Sequence, residues 1–279
     1  MFISFVSIVC IVCALGLSIS SAFTFLPVHV WYDFWKPLVM FIAGYLGGIA
    51  ICWIFIDING RIICSKKKKY DKPSKWARIL LTHGMDYIDF HANVRLKKIG
   101  LEKIPNEPFL LIGNHKSKFD PMIAAAVFHK RDLAFVTKED NMKIPLANRL
   151  MWRNCYMPVD RSDKLQSLEQ FKRAAELISS GASSVGVYPE GSRQEEGVIL
   201  AEFHNGVFNI ATKTGCPIVI LTMKGTSRIH KNFPFKISRV EMKCVQVLYE
   251  EDYKGMTSVE LSDYVHKIMY DELNESAQL

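Results

Sequence analysis

The first 58 residues carry only three charged side chains, Asp33, Lys36 and Asp57, in a chain of 279 residues with formal net charge +7. That imbalance constrains the fold more than any other feature. An apolar stretch of this length belongs in lipid, and the mixed, basic remainder belongs in water. Met1 to Phe25 holds no charge and is long enough to span a bilayer, and a second apolar run extends from Pro37 to about Ile58. Between them Pro27 to Lys36 contains Trp31, Tyr32 and Trp35, rings that settle at the headgroup level, so this segment reads as an interfacial loop. Small residues recur at helical spacing, Ala14, Ser18 and Ala22 in the first run and Gly44 and Gly48 in the second, and let two helices approach closely. A helical hairpin is expected, giving a two-helix membrane anchor over residues 1–60. A cleaved signal peptide is the rival reading of the first run; Ser18 to Ala22 offers small residues, but a basic leading region is missing.

Arg61 and Lys66 to Lys69 follow the second run at once, and basic residues beside a span stay cytoplasmic. The domain over residues 61–279 is therefore expected in the cytoplasm. A basic surface suits anionic partners, and the apolar N-terminus favours membrane lipid over nucleic acid. The seven cysteines show no disulfide framework. Cys10 and Cys13 have the CxxC spacing but sit inside the apolar run, where small residues facing lipid or a helix are the plainer reading.

From Ser74 onward the pattern becomes an alternation of strands and helices. Helices are expected at Ser74–His83, Met122–Phe128, Ile144–Trp152, 163–180, Asn205–Thr214 and from Thr257 to about Leu273. Strands are expected at Asp89–Lys97, Pro108–Ile112, Leu133–Thr137, Cys155–Val159, Ser184–Tyr188 and Pro217–Met223, with Lys236–Tyr249 as a pair or one long strand. Asp120 followed by Pro121 reads as an N-cap and first helical position. Ser162 reads as the cap of a helix whose apolar face is Leu165, Leu168, Phe171, Ala175 and Ile178, and Thr257 with Glu260 forms a capping box. The alternation implies an α/β fold with a mixed, largely parallel sheet and helices on both faces. Ligands in such sheets bind beyond the carboxyl ends of the strands. His115, Arg161 and Glu190 to Arg193 each follow an expected strand.

His115 and Asp120 supply an imidazole base and a carboxylate to orient it, with no serine or cysteine nucleophile beside them. The hydroxyl that reacts then belongs to the substrate; a surface histidine beside an ordinary helix cap is the alternative. Glu190-Gly191-Ser192-Arg193 combines a tight glycine turn with an arginine able to bind phosphate through two hydrogen bonds. A structural Arg–Glu pair in a polar loop is the alternative there, and an exposed ion pair is the alternative for Asp160-Arg161. Lys116 and Lys118 flank His115 as contacts for a phosphate or a developing oxyanion, or as solvated lysines. His83, His91 and His204 lack metal-ligand spacing, so no metal site is expected. GxxxxGK[ST], GxGxxG and GxSxG are absent, which removes the usual marks of nucleotide hydrolysis, dinucleotide binding and an α/β-hydrolase serine.

Taken in order, these segments resemble the glycerolipid acyltransferase family, most closely the 1-acylglycerol-3-phosphate acyltransferases. The first family motif, NHxSxxD, is matched by Asn114 to Asp120. The second resembles Met157-Pro158-Val159-Asp160-Arg161, and the third, usually PEGTR, is Pro189-Glu190-Gly191-Ser192-Arg193 with serine for threonine. Cys216-Pro217-Ile218-Val219-Ile220 is similar to the fourth, and Phe203-His204-Asn205-Gly206 to an FKxG stretch with histidine for lysine. The likeness covers about Leu96 to Gly225. It implies that His115 and Asp120 are catalytic and that Arg161, Glu190, Gly191, Ser192 and Arg193 bind the acceptor. The fourth motif would shape an apolar acyl pocket. The acceptor implied is a lysophospholipid, 1-acylglycerol 3-phosphate first, and the product phosphatidic acid. The acyl donor implied is a thioester, acyl-CoA or acyl-carrier protein, used without a cofactor and without an acyl-enzyme. The alternatives are another lysophospholipid or glycerol 3-phosphate as acceptor, a thioesterase using water, and a non-catalytic lipid-binding protein.

Overall fold

A computed structural model of the chain describes residues 5–21, 35–65, 68–160, 162–194 and 197–275. The interfacial loop read at Pro27–Lys36 lies outside the described residues except for Trp35 and Lys36; Ala22, Lys66, Lys67 and Arg161 also lie outside them.

Short runs rich in aliphatic and β-branched residues build the centre of the sheet. Strands β1 (Val94–Ile99), β2 (Leu110–Gly113), β3 (Leu133–Lys138), β4 (Met157–Val159), β5 (Ser184–Val187), β6 (Ile218–Lys224) and β7 (Ser238–Leu248) form one sheet in the order β1-β7-β6-β2-β5-β3-β4. Only β6 and β7 pair antiparallel; the other neighbours are parallel. Every residue of β2 and β5 is buried, as are the first six of β6. Successive residues of a strand point to opposite faces, so continuous burial requires cover on both. Ten helices occur among the described residues. They are α1 (Phe5–Ser20), α2 (Trp35–Ile63), α3 (Lys75–His91), α4 (Phe119–Val127), α5 (Ala147–Arg153), α6 (Lys164–Ser179), α7 (Asn209–Thr214), α8 (Ile229–Asn232), α9 (Glu250–Tyr253) and α10 (Ser258–Glu275). The expected mixed, largely parallel sheet is what the structure has, and Lys236–Tyr249 resolves into the single strand β7.

The topology places a crevice at β2. From β2 the chain moves through α4 toward β3 on one side, whereas from β6 it moves toward β7 on the other. Outgoing connections that diverge from neighbouring parallel strands leave a gap at their carboxyl ends, where ligands bind in open α/β sheets. His115 lies two residues beyond β2.

Helix α2 is 29 residues long and is long and apolar enough to cross a membrane by length and composition. At 1.5 Å per residue it reaches about 44 Å, against about 30 Å of hydrocarbon. The described part of α1 has 16 residues, or about 24 Å, and falls short of that thickness. The two helices pack antiparallel through the expected small residues. A Cβ on Gly44 would lie 2.7 Å from the Cys13 carbonyl oxygen, and one on Gly48 would lie 2.8 Å from the Cys10 Cα. The far side of the pair exposes Val12, Leu38, Leu46, Ile51 and Ile54 to the surroundings.

α2 does not stand apart from the sheet domain. Tyr45 Oη lies 2.5 Å from His91 Nε2 at the end of α3, Trp76 Nε1 donates to Asn59 Oδ1 (3.2 Å), and Ile56 joins the main core. The segment after α2 is likewise pinned, with Trp152 Nε1 donating to the Lys68 carbonyl and Arg173 to that of Tyr70.

Three local expectations are corrected. α3 runs to His91, past the expected end at His83 and into the expected strand, and β1 starts only at Val94. Packing of α3 on α4 and α5 carries the helix on, and Asn93 at φ 52° ends it in the left-handed region that asparagine tolerates. Asp163, not Ser162, caps α6, accepting from Gln166 N at 3.0 Å. The α6 face also differs: Ala174, Leu177 and Ile178 are buried, whereas Leu165 and Leu168 are 77% and 55% exposed. The first turns of α6 lie beside the three-residue edge strand β4, which is too short to cover them.

Candidate active site

The β2–α4 turn is fixed to the sheet before any ionisable group is considered. Asn114, buried at the end of β2, donates through Nδ2 to the Met223 carbonyl (2.9 Å) and accepts from Met223 N at Oδ1 (2.7 Å). This amide bridge clamps the turn to β6 across the crevice.

Asp120 then organises the turn. It is fully buried, and its Oδ2 accepts from Lys116 N (2.7 Å), Ser117 N (2.7 Å) and His115 Nδ1 (3.0 Å). The expectation that Asp120 caps α4 is corrected: Lys118 holds the cap position, and Asp120 lies in the first turn with its carboxylate folded back onto the preceding amides. Three donors converge on one oxygen, while Oδ1 is buried without a hydrogen bond to any described residue. An ionised carboxylate only accepts, so Nδ1 must carry the imidazole proton and Nε2 presents its lone pair. Nε2 has no hydrogen-bond partner among the described residues, and the His115 side chain is 19% exposed. No serine or cysteine side chain bonds to it there.

Glu190 ties the second loop to the first. Its Oε1 accepts from His115 N (2.5 Å) and its Oε2 from Ala201 N (3.1 Å). Gln194 N donates in return to the His115 carbonyl (3.1 Å), and His204 N to that of Pro189 (2.9 Å). Burial pushes the Glu190 carboxyl above its ordinary range, opposed by the two backbone donors and then by Lys116 and His115. Lys116 is held below its ordinary range by burial, against the pull of Glu190 and Asp120. Its ammonium donates to the Val198 carbonyl. Lys118 is exposed.

An aromatic stack supports the imidazole. His115 lies over Tyr188 with ring centroids 4.7 Å apart, Tyr188 lies parallel to Phe135 at 6.1 Å, and Phe135 meets Tyr156 edge-on at 5.6 Å. Gly113 makes room for this: a Cβ there would stand 2.9 Å from Tyr188 Cε1. Burial, with the Asp120 charge behind it, holds the Tyr188 phenol far above its ordinary range, and its hydroxyl has no partner among the described residues.

The sequence-expected residues fall into four groups. His115, Asp120 and Glu190 converge within hydrogen-bond contact. Gly191 turns the third segment back, its N–H donating to the Tyr188 carbonyl (3.0 Å), and leaves Ser192 and Arg193 exposed at the rim. Arg193 makes no hydrogen bond or ion pair with a described residue. Arg161 lies outside the described residues. Cys216 to Ile220 enters β6 and is buried in the sheet, with Ile218 beside Leu110 at the end away from His115. Sequence reasoning missed the Asn114 clamp and the Tyr188 support. The glycine at Gly113 beside a buried aromatic strand end was the one signal for the latter.

Residues 95–224 match the family model described as Acyltransferase. Curated relatives include the chloroplastic 1-acyl-sn-glycerol-3-phosphate acyltransferase BAT2 of Brassica napus, 35% identical over 132 residues, 47% of this chain and 37% of the relative. The 1-acyl-sn-glycerol-3-phosphate acyltransferase alpha of Bos taurus is 22% identical over 227 residues, 80% of this chain and 77% of the relative. The chain spans 37% and 36% of the length of two chloroplastic relatives that it matches. A crystal structure of the 1-acyl-sn-glycerophosphate (LPA) acyltransferase PlsC from Thermotoga maritima has the same fold, with TM-score 0.56 at 20% identity over 81% of this chain and 94% of that one. Residues 95–224, the stretch that matches the acyltransferase family model, hold the His115 turn, the Glu190 loop and the crevice between them.

Proposed function

We propose that this protein moves a fatty acyl group from a thioester to the free hydroxyl of 1-acylglycerol 3-phosphate, giving phosphatidic acid. The observation that carries the reading is the His115 Nδ1 to Asp120 Oδ2 bond of 3.0 Å, with Nε2 open at the crevice and no protein nucleophile bonded to it. His115 Nε2 takes the hydroxyl proton as the substrate oxygen attacks the thioester carbonyl carbon. The tetrahedral intermediate collapses with rupture of the C–S bond, and the imidazolium returns its proton to the leaving thiolate. An ester and a free thiol result. Asp120 orients the ring and stabilises its charged form, the role an aspartate plays in a serine triad, while the substrate supplies the alcohol. A thioester is already activated, so neither a cofactor nor an acyl-enzyme is needed.

Arg193, exposed beside the turn, binds the acceptor phosphate together with Arg161, and Gly191 and Ser192 shape that loop. Glu190 contributes by holding the His115 backbone. The α1–α2 pair holds the protein to the membrane, and Arg61 with the lysines after it keeps the sheet domain on the cytoplasmic side. The names of the curated relatives favour lysophosphatidate over glycerol 3-phosphate or another lysolipid.

The test is purified full-length protein with labelled acyl-CoA or acyl-carrier protein against a panel of lysolipid acceptors and glycerol 3-phosphate. Labelled phosphatidic acid is expected only when lysophosphatidate is present. Thiol release without any acceptor would instead indicate a thioesterase. Absence of transfer from either donor to every acceptor would leave a lipid-binding protein.

A further inference from the structure

The connection from α8 into β7 is an unusual surface for a protein in water. Within five residues it leaves Phe233 56%, Phe235 93% and Ile237 54% exposed. Exposed aromatic and branched side chains this close together mark a contact surface rather than scattered surface residues. Lys236 and Arg239 are exposed beside them.

Arg95 on the edge strand β1 is the direct register partner of Arg239, and both are exposed. Neither makes an ion pair with a described residue. Like charges side by side on a sheet repel each other unless an anion lies across them. Exposed phenylalanine rings beside basic side chains fit the boundary between the acyl chains and the headgroups of an anionic bilayer.

Two positional facts join this patch to the rest of the molecule. Asn93 Nδ2 donates to the Pro234 carbonyl (2.6 Å), and Ser238 N donates to the Asn93 carbonyl (3.0 Å). Asn93 stands two residues past His91, which holds Tyr45 of α2, so the loop is tied to the end of α3 that contacts the apolar helix pair. It also shares a rim with His115. Lys224, at the end of β6, pairs with Glu241 near the start of β7, and Met223 is the residue clamped by Asn114. β7 lies two strands from β2, a lateral offset of about 10 Å.

We infer that Phe233–Ile237, flanked by Arg95, Lys236 and Arg239, is a second membrane contact that rests on an anionic bilayer surface. The helix pair and this loop then hold the sheet at two points and set the His115 rim against the lipid. The contact stands apart from the acyl-transfer reading; only its consequence for acceptor delivery rests on that reading.

The test uses the full chain in lipid nanodiscs of phosphatidylcholine, with or without phosphatidylglycerol. A photoreactive benzophenone side chain replaces either Phe235 or Tyr249. Tyr249 is 44% exposed at the opposite end of the same 11-residue strand. Lipid adducts are expected several-fold more often at 235 than at 249, with a further rise when phosphatidylglycerol is present. An Arg95→Ser, Arg239→Ser double variant should remove that rise. Equal yields at both positions, no response to phosphatidylglycerol, or a 235 adduct to a second protein chain would overturn the inference. In parallel, Phe233→Ser with Phe235→Ser should slow transfer to a bilayer-embedded acceptor several-fold while leaving transfer to a detergent-dispersed acceptor unchanged. Equal slowing of both would also count against it. A wild-type protein that transfers nothing would sink the acyltransferase reading alone, because the cross-linking yields judge the contact by themselves.

Discussion

Two loops meet at the carboxyl rim of the sheet and are held in opposite ways. The His115 turn has its imidazole and its backbone fixed by Asn114, Asp120, Glu190 and the Tyr188 ring. The tip of the Glu190 loop, two and three residues further on, leaves Ser192 and Arg193 exposed, and the Arg193 guanidinium has no partner among the described residues. The group proposed to move a proton is held in place by the fold itself. The group assigned to the phosphate has to be ordered by the phosphate itself. Pre-positioning lowers the barrier to chemistry, whereas a free arginine contributes binding. Mutations on the two sides should therefore divide between kcat and KM.

The largest break is expected at Asp120. Asp120→Ala removes the acceptor for three donors and frees the imidazole, and kcat should fall by about 10²- to 10⁴-fold. Circular dichroism must show a folded protein for the result to count. Asp120→Asn is the sharper test, because its amide turned toward Nδ1 would favour the wrong tautomer; a normal rate in that variant would break the claim about orientation.

Arg193→Ala comes next. A charge-assisted phosphate contact contributes about 1.5–3 kcal/mol, roughly a ten- to hundredfold change. It should appear as a higher acceptor KM, with the donor KM and kcat little altered. Steady-state kinetics with each substrate varied in turn decides this. A rise confined to the donor KM would move Arg193 to the thioester side.

Smaller effects are expected beneath the imidazole. Tyr188→Ala should lower stability by about 3–5 kcal/mol through the cavity it leaves, with some loss of kcat. Tyr188→Phe keeps the ring and removes a buried hydroxyl that has no partner among the described residues. Its stability should equal the parent's or exceed it by about 1 kcal/mol. Denaturant midpoints measured on the two variants separate support by the ring from a role for the hydroxyl.

Asp89 provides a contrast to Asp120, as a buried carboxylate without a comparable set of donors. Its Oδ1 has no hydrogen bond to a described residue, and burial, reinforced by Asp86, pushes its pKa up to about 8. An unfolded aspartate ionises near pH 3.9. Between those values the folded state binds more protons than the unfolded state, so this group lowers stability as pH rises from about 4 to about 8. Asp89→Asn should raise the melting temperature over the parent at about pH 8 and much less at about pH 4. An equal gain at both would show that Asp89 ionises normally in the fold.

Much of the scaffold was legible because strands buried on both faces read as short apolar runs, as Leu110–Ile112 and Ile218–Met223 do. The capping box was legible because it is local: Thr257 N donates to Glu260 Oε2 at 2.8 Å. Features set by tertiary packing were not. α3 outran its expected end because neighbouring helices cover it, and Leu165 lost its place in the core because no long strand lies beneath it. At the site, the residue types and their order were readable, but the direction of the Asp120 carboxylate was not. Aspartate followed by proline fits an N-cap in sequence, and only the tight Ser117–Asp120 turn, with Asp120 N on the Ser117 carbonyl at 3.1 Å, shows that it faces backward. Glu190 was read as an acceptor-binding residue, while in the fold both of its oxygens take backbone N–H groups. No sequence spacing reveals that, since His115 and Glu190 stand 75 residues apart.

The central claim is that the protein supplies the base and the substrate supplies the alcohol. Single-turnover transfer from labelled acyl-CoA or acyl-carrier protein to lysophosphatidate, in parent and in folded His115→Ala protein, tests it most directly. The account predicts a rate about 10²- to 10⁴-fold lower in the variant, and in the parent no burst of free thiol before acceptor is added. Near-normal transfer by His115→Ala, or a stoichiometric burst without acceptor, would contradict it.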